Sequence, residues 1–203
     1  MYRGRYLRAM VRQMTTKIEP NDSVIDIGAG TGLLSMVAAS IVGPEAVVAV
    51  EPDPRAANMA AMNFELNDLP LALMRGAAVA DAGKSTIEFF LNSVLGQSSV
   101  FPRAGGLKPI DVNSIDIGAL IAERSATVLL VDAEGVEHSL LTGIGDFGTV
   151  RLILVRIRDE TVGYVNTRRL VRHLFDHGFA LDFSRCRGGN VVFVKTSATS
   201  RGA

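Results

Sequence analysis

Asp26-Ile27-Gly28-Ala29-Gly30-Thr31-Gly32 constrains this chain more than any other run of residues. It follows a short apolar run, Val24-Ile25, and precedes a helical stretch from Leu33 to Val42. Glu51 stands about twenty residues beyond the loop, at the end of a second apolar run, Ala46–Val50. A strand that feeds a glycine-rich turn and then a helix builds a nucleoside-cofactor site, and an acid ending the second strand meets ribose hydroxyls. The spacing of the glycines selects the cofactor. A dinucleotide fingerprint, Gly-x-Gly-x-x-Gly, needs its third glycine at position 33, where this chain has Leu33.

The rest of the chain supplies the matching architecture. Helical periodicity over 2–17 (Leu7, Val11, Met14, Ile18) sets arginines 5, 8 and 12 on another face. Strands are expected at 24–27, 46–50, 71–74, 127–131 and 150–155. Helices are expected at 31–42, from Asp53-Pro54 to about Asn67, at 115–124, 136–142 and 166–177. Residues 76–114 are rich in Gly, Ser, Asn and Pro and less regular, with strand-like pieces at 86–91 and 108–112. Segments 180–184 and 191–195 read as a hairpin across Arg187-Gly188-Gly189-Asn190. The α/β alternation predicts a Rossmann-like, doubly wound, mostly parallel seven-stranded sheet, with one antiparallel strand in a C-terminal hairpin.

Composition narrows the remaining choices. A hydrophobic share of 48% and a charged share of 21% are those of a globular protein. The 203 residues are read as one domain: an N-terminal helix over 1–19, a core over 20–196 and a disordered tail over 197–203. Zero formal net charge removes the basic field that would recruit nucleic acid. No apolar run is long enough to span a bilayer, and Arg8, Arg12 and Gln13 interrupt any signal-peptide core. With Cys186 as the lone cysteine, the expectation is a cytoplasmic protein without internal disulfides.

The Asp-x-Gly-x-Gly-x-Gly pattern of Asp26, Gly28, Gly30 and Gly32 resembles motif I of the class I S-adenosylmethionine-dependent methyltransferases. Glycines let the backbone turn sharply and approach the ligand. Asp26 offers negative charge to the methionine ammonium, and Glu51 can accept both ribose hydroxyls. A second run, Asp132-Ala133-Glu134-Gly135-Val136-Glu137, leaves the carboxyl end of the fourth central strand, where ligands of open α/β sheets bind. With Leu140-Leu141 and Gly143 behind it, this run resembles the FkbM family of methyltransferases. Weaker fragments are similar too: Asn63 and Asn67, Gly76–Asp81, Gly96-Gln97-Ser98-Ser99 and Asp111–Asp116. The resemblance covers about 20–160. It implies that Asp26, Gly28, Ala29, Gly30, Gly32, Glu51, Pro52, Gly76, Ala77 and Asp132 surround S-adenosylmethionine.

It also implies O-methylation of a hydroxyl on a small molecule, a sugar or a polyketide-like product. Loss of the hydroxyl proton then calls for a base, and Asp132 and Glu134 are the candidates. The chain departs from the family in carrying Gly30 for Asn. It also has Val155-Arg156-Ile157-Arg158 where the family has a glutamate. That charge reversal motivates an alternative, a methyltransferase fold that binds the cofactor without turnover. A nicotinamide-dependent oxidoreductase is a third reading, disfavoured by Leu33. No metal is expected, since no third acid completes a divalent site with Asp132 and Glu134. His173 and His177 lack the glutamate of a zincin helix, and His138 lies nearer the site.

Overall fold

The computed structural model describes residues 3–93, 98–100, 109–133, 135–158, 163–186 and 189–196, and the side chains of 3–7 fall outside that description. Four short apolar strands form the centre: β1 (Val24–Ile27), β2 (Val47–Glu51), β7 (Val128–Val131) and β8 (Leu152–Arg156). Nearly every residue in them is buried, as parallel strands covered on both faces require. β3 (Ala72–Arg75), more exposed, forms one edge, while β10 (Asn190–Lys195) and β9 (Phe179–Leu181) complete the other. The seven strands run in the order β3-β2-β1-β7-β8-β10-β9, with β10 antiparallel to both its neighbours and the rest parallel. This is the sheet expected from the sequence.

Alternating side chains divide the core in two. α1 (Arg3–Lys17), α2 (Leu33–Val42) and α3 (Pro54–Leu66) cover one face. There Met10, Met14, Leu34 and Ala38 meet Val24, Leu130, Leu154 and Val192, and Phe64 meets Ala49. α4 (Ile117–Arg124), α5 (Glu137–Gly143) and α6 (Tyr164–Asp176) cover the other through Ile121, Leu141, Leu170 and Leu174 on Ile25, Leu129 and Ile153. α1 follows its expected stripe at Met14 and Ile18 and adds Met10 and Gln13, while Arg8 and Arg12 stay exposed. Among the described residues no helix is long and apolar enough to cross a membrane.

The stretch 76–114 is more ordered than its composition suggests. β4 (Ala77–Val79), β5 (Thr86–Phe90) and β6 (Pro109–Asp116) form a second, three-stranded sheet in the order β4-β6-β5. β6 continues to Asp116, whose carboxylate accepts the Ala119 N–H at 2.9 Å and caps α4. The strand-like pieces expected at 86–91 and 108–112 match β5 and the start of β6, while β4 and the pairing of the three into a sheet were not expected. Gly76 makes the sheet possible: a Cβ there would lie 2.6 Å from the Asn113 carbonyl oxygen. The 94–97 and 101–108 segments and the 197–203 tail lie outside the described residues.

Candidate active site

β1 has β2 on one side and β7 on the other, and the chain turns in opposite directions from it. That makes the carboxyl end of β1 the switch point where open α/β sheets hold ligands. The glycine loop leaves from there. The N–H groups of Gly28 and Ala29 both donate to the Val50 carbonyl, at 2.9 and 3.1 Å, folding the loop back over β2. All three glycines have positive φ: 79° at Gly28, 58° at Gly30 and 83° at Gly32. Their reasons differ. A Cβ on Gly28 would come 2.7 Å from the Asp132 carbonyl oxygen, so this glycine lets β1 and β7 close up. At Gly32 the Phe64 ring takes the space, 2.4 Å from where a Cβ would stand, so its freedom serves the packing of α2 on α3. Only Gly30 looks into open space, its single neighbour being the Gly28 carbonyl oxygen at 4.0 Å. Ala29 turns its methyl into the cluster with Ala49, Ala60 and Phe64, leaving only its backbone for a ligand.

Two acids flank this loop. Asp26 is fully buried; the Ser35 hydroxyl donates to its Oδ2 at 2.6 Å, and its Oδ1 has no hydrogen-bond partner among the described residues. Burial pushes the Asp26 carboxyl up to about 7, with Ser35 opposing and nearby Asp132 adding to the rise. Glu51 accepts the Gly30 N–H on Oε2 at 2.7 Å and the Asp53 N–H on Oε1 at 2.8 Å. Burial lifts the Glu51 carboxyl to about 7 as well, those two N–H groups opposing and Asp53 and Asp26 adding to the rise. A carboxylate has about four acceptor positions, so Glu51 keeps two for a ligand. A buried carboxylate oxygen without a donor among the described residues, an acid with two acceptor positions left and an open Gly30 suit a ligand that brings an ammonium and a ribose diol, as S-adenosylmethionine would.

The second acidic run is differently engaged. Arg158 reaches back from the end of β8 and pairs with Asp132 Oδ1 at 2.6 Å and with Glu137 Oε1 at 2.7 Å. Glu137 is fully buried and also accepts the Gly135 N–H at 2.7 Å. Burial raises its carboxyl above the ordinary range, against the pull of those hydrogen bonds and of Arg158. Arg156 lies 4.0 Å from Asp132 Oδ2, so both arginines that replace the expected glutamate face this acid. Glu134 lies outside the described residues. Glu137 and Arg158 are the site residues that spacing alone did not single out as a pair; Arg-x-Arg after an acid-rich turn was the available signal.

Pro52 is half-buried between Glu51 and Asp53. Gly76 and Ala77 sit at the β3–β4 junction, with Ala77 buried and paired with Ser114 of β6. Asn63 ties α3 to the glycine loop by donating to the Thr31 carbonyl at 2.9 Å. Ser98 donates to Asp53 Oδ2 at 2.8 Å, drawing the segment after β5 to the start of α3. His173 and His177 are half-buried and interlock. His173 and His177 contact the Ile144 and Gly145 carbonyls and pack on Phe147, their own ring centroids 4.2 Å apart. Among the described residues no group of three or more His, Cys, Asp or Glu could hold a metal ion.

The sheet order and the glycine loop at its switch point are those of the Rossmann-like methyltransferase fold. The family model for ribosomal protein L11 methyltransferase (PrmA) matches residues 8–87, the stretch that carries the glycine loop and Glu51. A ribosomal protein L11 methyltransferase of Bacillus cereus is 40% identical over 57 residues, 28% of this chain and 18% of that protein, so the chain aligns with under a fifth of its relative's length. Among solved structures, the ribosomal protein L11 methylase of Lactobacillus delbrueckii subsp. bulgaricus is similar over 95% of this chain and 78% of its own, at 13% identity and a TM-score of 0.56. M. jannaschii TYW2 in complex with AdoMet is similar over 97% and 78%, at 16% identity and a TM-score of 0.52. At such identities these two likenesses concern the fold. The expectation of a small-molecule hydroxylated acceptor is corrected here: the matching family and relatives are named for a protein acceptor. The FkbM resemblance, read over about 20–160, is not carried by these comparisons: the family model that matches is that of PrmA.

Proposed function

We propose that this chain takes the methyl group of S-adenosylmethionine and passes it to a protein, working as a single catalytic domain. The observation that carries the reading is the pair of carboxylates flanking an open glycine: Asp26, whose buried Oδ1 has no partner among the described residues, and Glu51 with two acceptor positions left. The PrmA match supports a protein acceptor.

When bound, the cofactor supplies a methyl already activated on a sulfonium. What the chain must do is align the acceptor lone pair with that methyl, and orientation of this kind is worth roughly 7–11 kcal/mol. Asp26 fixes the amino-acid end, and Glu51 with the Gly30 backbone fixes the ribose. Asp132, one strand over from Gly28, orients the acceptor from its Arg158-held position, and Glu134, two residues on in the sequence, is the other candidate for that task. An acceptor amine or hydroxyl arriving over β7 and β8 would take the methyl as S-adenosylhomocysteine leaves, its proton passing to the Asp132 carboxylate as base.

The test is transfer of labelled methyl from S-adenosylmethionine to purified ribosomal protein L11, with total ribosomal protein and a panel of hydroxylated small molecules alongside. Label in a protein band is expected. Label in neither protein sample would remove the protein acceptor, and failure to bind S-adenosylhomocysteine would remove the cofactor as well. A second reading, cofactor binding without turnover, is favoured by the ion pair that engages Asp132. It predicts S-adenosylhomocysteine binding with no transfer to any of these acceptors.

A further inference from the structure

Hydrogen bonds run unbroken from the segment after β5 to the glycine loop. The Asn92 N–H donates to Ser98 Oγ at 3.0 Å, and Ser98 Oγ donates to Asp53 Oδ2 at 2.8 Å. The Asp53 N–H donates to Glu51 Oε1 at 2.8 Å, and Glu51 Oε2 receives the Gly30 N–H at 2.7 Å. Arg55 braces the middle. Its guanidinium donates to Asp53 Oδ1 at 3.0 Å and Oδ2 at 2.7 Å, to the Asn92 carbonyl at 2.7 Å and to Ser98 Oγ at 3.3 Å.

Counting acceptor positions assigns the roles. Asp53 Oδ1 takes the Arg55 N–H and Nε, and its Oδ2 takes Arg55 Nη2 and Ser98. All of its roughly four positions are used, so buried Asp53 has nothing left for a ligand. The Ser98 hydroxyl gives its one proton and fills both acceptor positions. Glu51 alone in this chain of contacts keeps capacity facing the site.

We infer that Ser98 is a positioning residue for cofactor binding: through Asp53 it fixes the backbone N–H that aims the Glu51 carboxylate at the ribose. This rests on the proposed cofactor reading. It makes affinity depend on a segment outside the glycine loop and outside the stretch that the PrmA model matches.

The test is calorimetric titration with S-adenosylhomocysteine of the whole chain, of Ser98→Ala, Ser98→Thr and Glu51→Gln, and of the Ser98→Ala/Glu51→Gln double variant. Ser98→Ala is expected to weaken binding about five- to tenfold, and Ser98→Thr, which keeps the hydroxyl, less than twofold. With Glu51→Gln in place, Ser98→Ala should add less than twofold, because the two residues act through one contact. Wild-type affinity in Ser98→Ala overturns the inference. So does a loss of equal size in the Glu51→Gln background, or an equal loss in Ser98→Thr. Should the unaltered chain itself fail to bind, the cofactor reading falls instead, which separates the two failures.

Discussion

At Glu51 two tasks meet in one side chain. The carboxylate holds the Gly30 and Asp53 N–H groups in place and keeps two acceptor positions turned to the site. A hydrogen bond to a charged group is worth about 1.5–3 kcal/mol, so Glu51→Gln should weaken S-adenosylhomocysteine about tenfold or more, read by calorimetry. The same acid and Asp26 make binding depend on pH. Burial raises both to about 7. Between their ordinary values near 4 and about 7, the folded chain keeps protons that the unfolded chain has released, so the protein loses stability as pH rises through that window. A ligand ammonium at Asp26 and ribose hydroxyls at Glu51 favour the ionised forms. Binding at pH 6 should therefore release about one proton for each acid that ionises, and affinity should rise from pH 5 to 7 and then level off. Titrations in buffers of different ionisation enthalpy measure the protons, and Asp26→Asn should remove its share. Both acids were readable in the sequence because strand ends and loop spacing fix them. Ser98 was visible only as a weak fragment, since its partner Asp53 is 45 residues away and the contact depends on how the chain returns after β5.

Elements show the same division between local and long-range information. Glycines 28, 30 and 32 were equivalent as a pattern, yet only packing distinguishes them. Gly32 closes the start of α2 against the Phe64 ring of α3, with φ at 83°. Gly32→Ala combines a left-handed backbone penalty with a clash on an aromatic ring and should cost about 2–4 kcal/mol of stability in urea unfolding. Shortening the ring in Gly32→Ala/Phe64→Leu should recover the clash but not the backbone part, so the two changes will not add. The central strands were found because continuous apolar runs mark buried parallel strands. The β4-β6-β5 sheet was not, because β6 alternates exposed and half-buried residues and its pairing depends on a glycine at 76 that meets the Asn113 carbonyl.

Across the whole molecule, the two rims of the sheet carry different work. At the carboxyl rim stand Asp26 and Glu51, the acids of the proposed cofactor site. At the amino rim they bind the fold together. Asp22, nearly buried just before β1, takes Arg151 Nε on Oδ1 at 2.9 Å and Arg151 Nη2 on Oδ2 at 2.5 Å, and the Thr127 hydroxyl at 2.6 Å. It also takes the Glu19 N–H at 2.7 Å, while Arg151 reaches the Lys17 carbonyl at 3.0 Å. One carboxylate thus joins the end of α1 to the starts of β1, β7 and β8. Burial works against its charge, but Arg151, the Glu19 N–H and Thr127 together hold it below the ordinary aspartate range. A depressed carboxyl contributes stability that is present above its unfolded value near 3.8 and is lost as pH falls through the folded one. Asp22→Ala leaves Arg151 without its main partner and should cost about 2–4 kcal/mol near neutral pH, with the difference from wild type shrinking below about pH 4. Because the site is a strand length away, S-adenosylhomocysteine affinity measured well below the melting temperature should stay within twofold. A large loss of affinity in Asp22→Ala would mean that the rims are coupled through the strands, and stability and binding could not then be tuned separately in this fold.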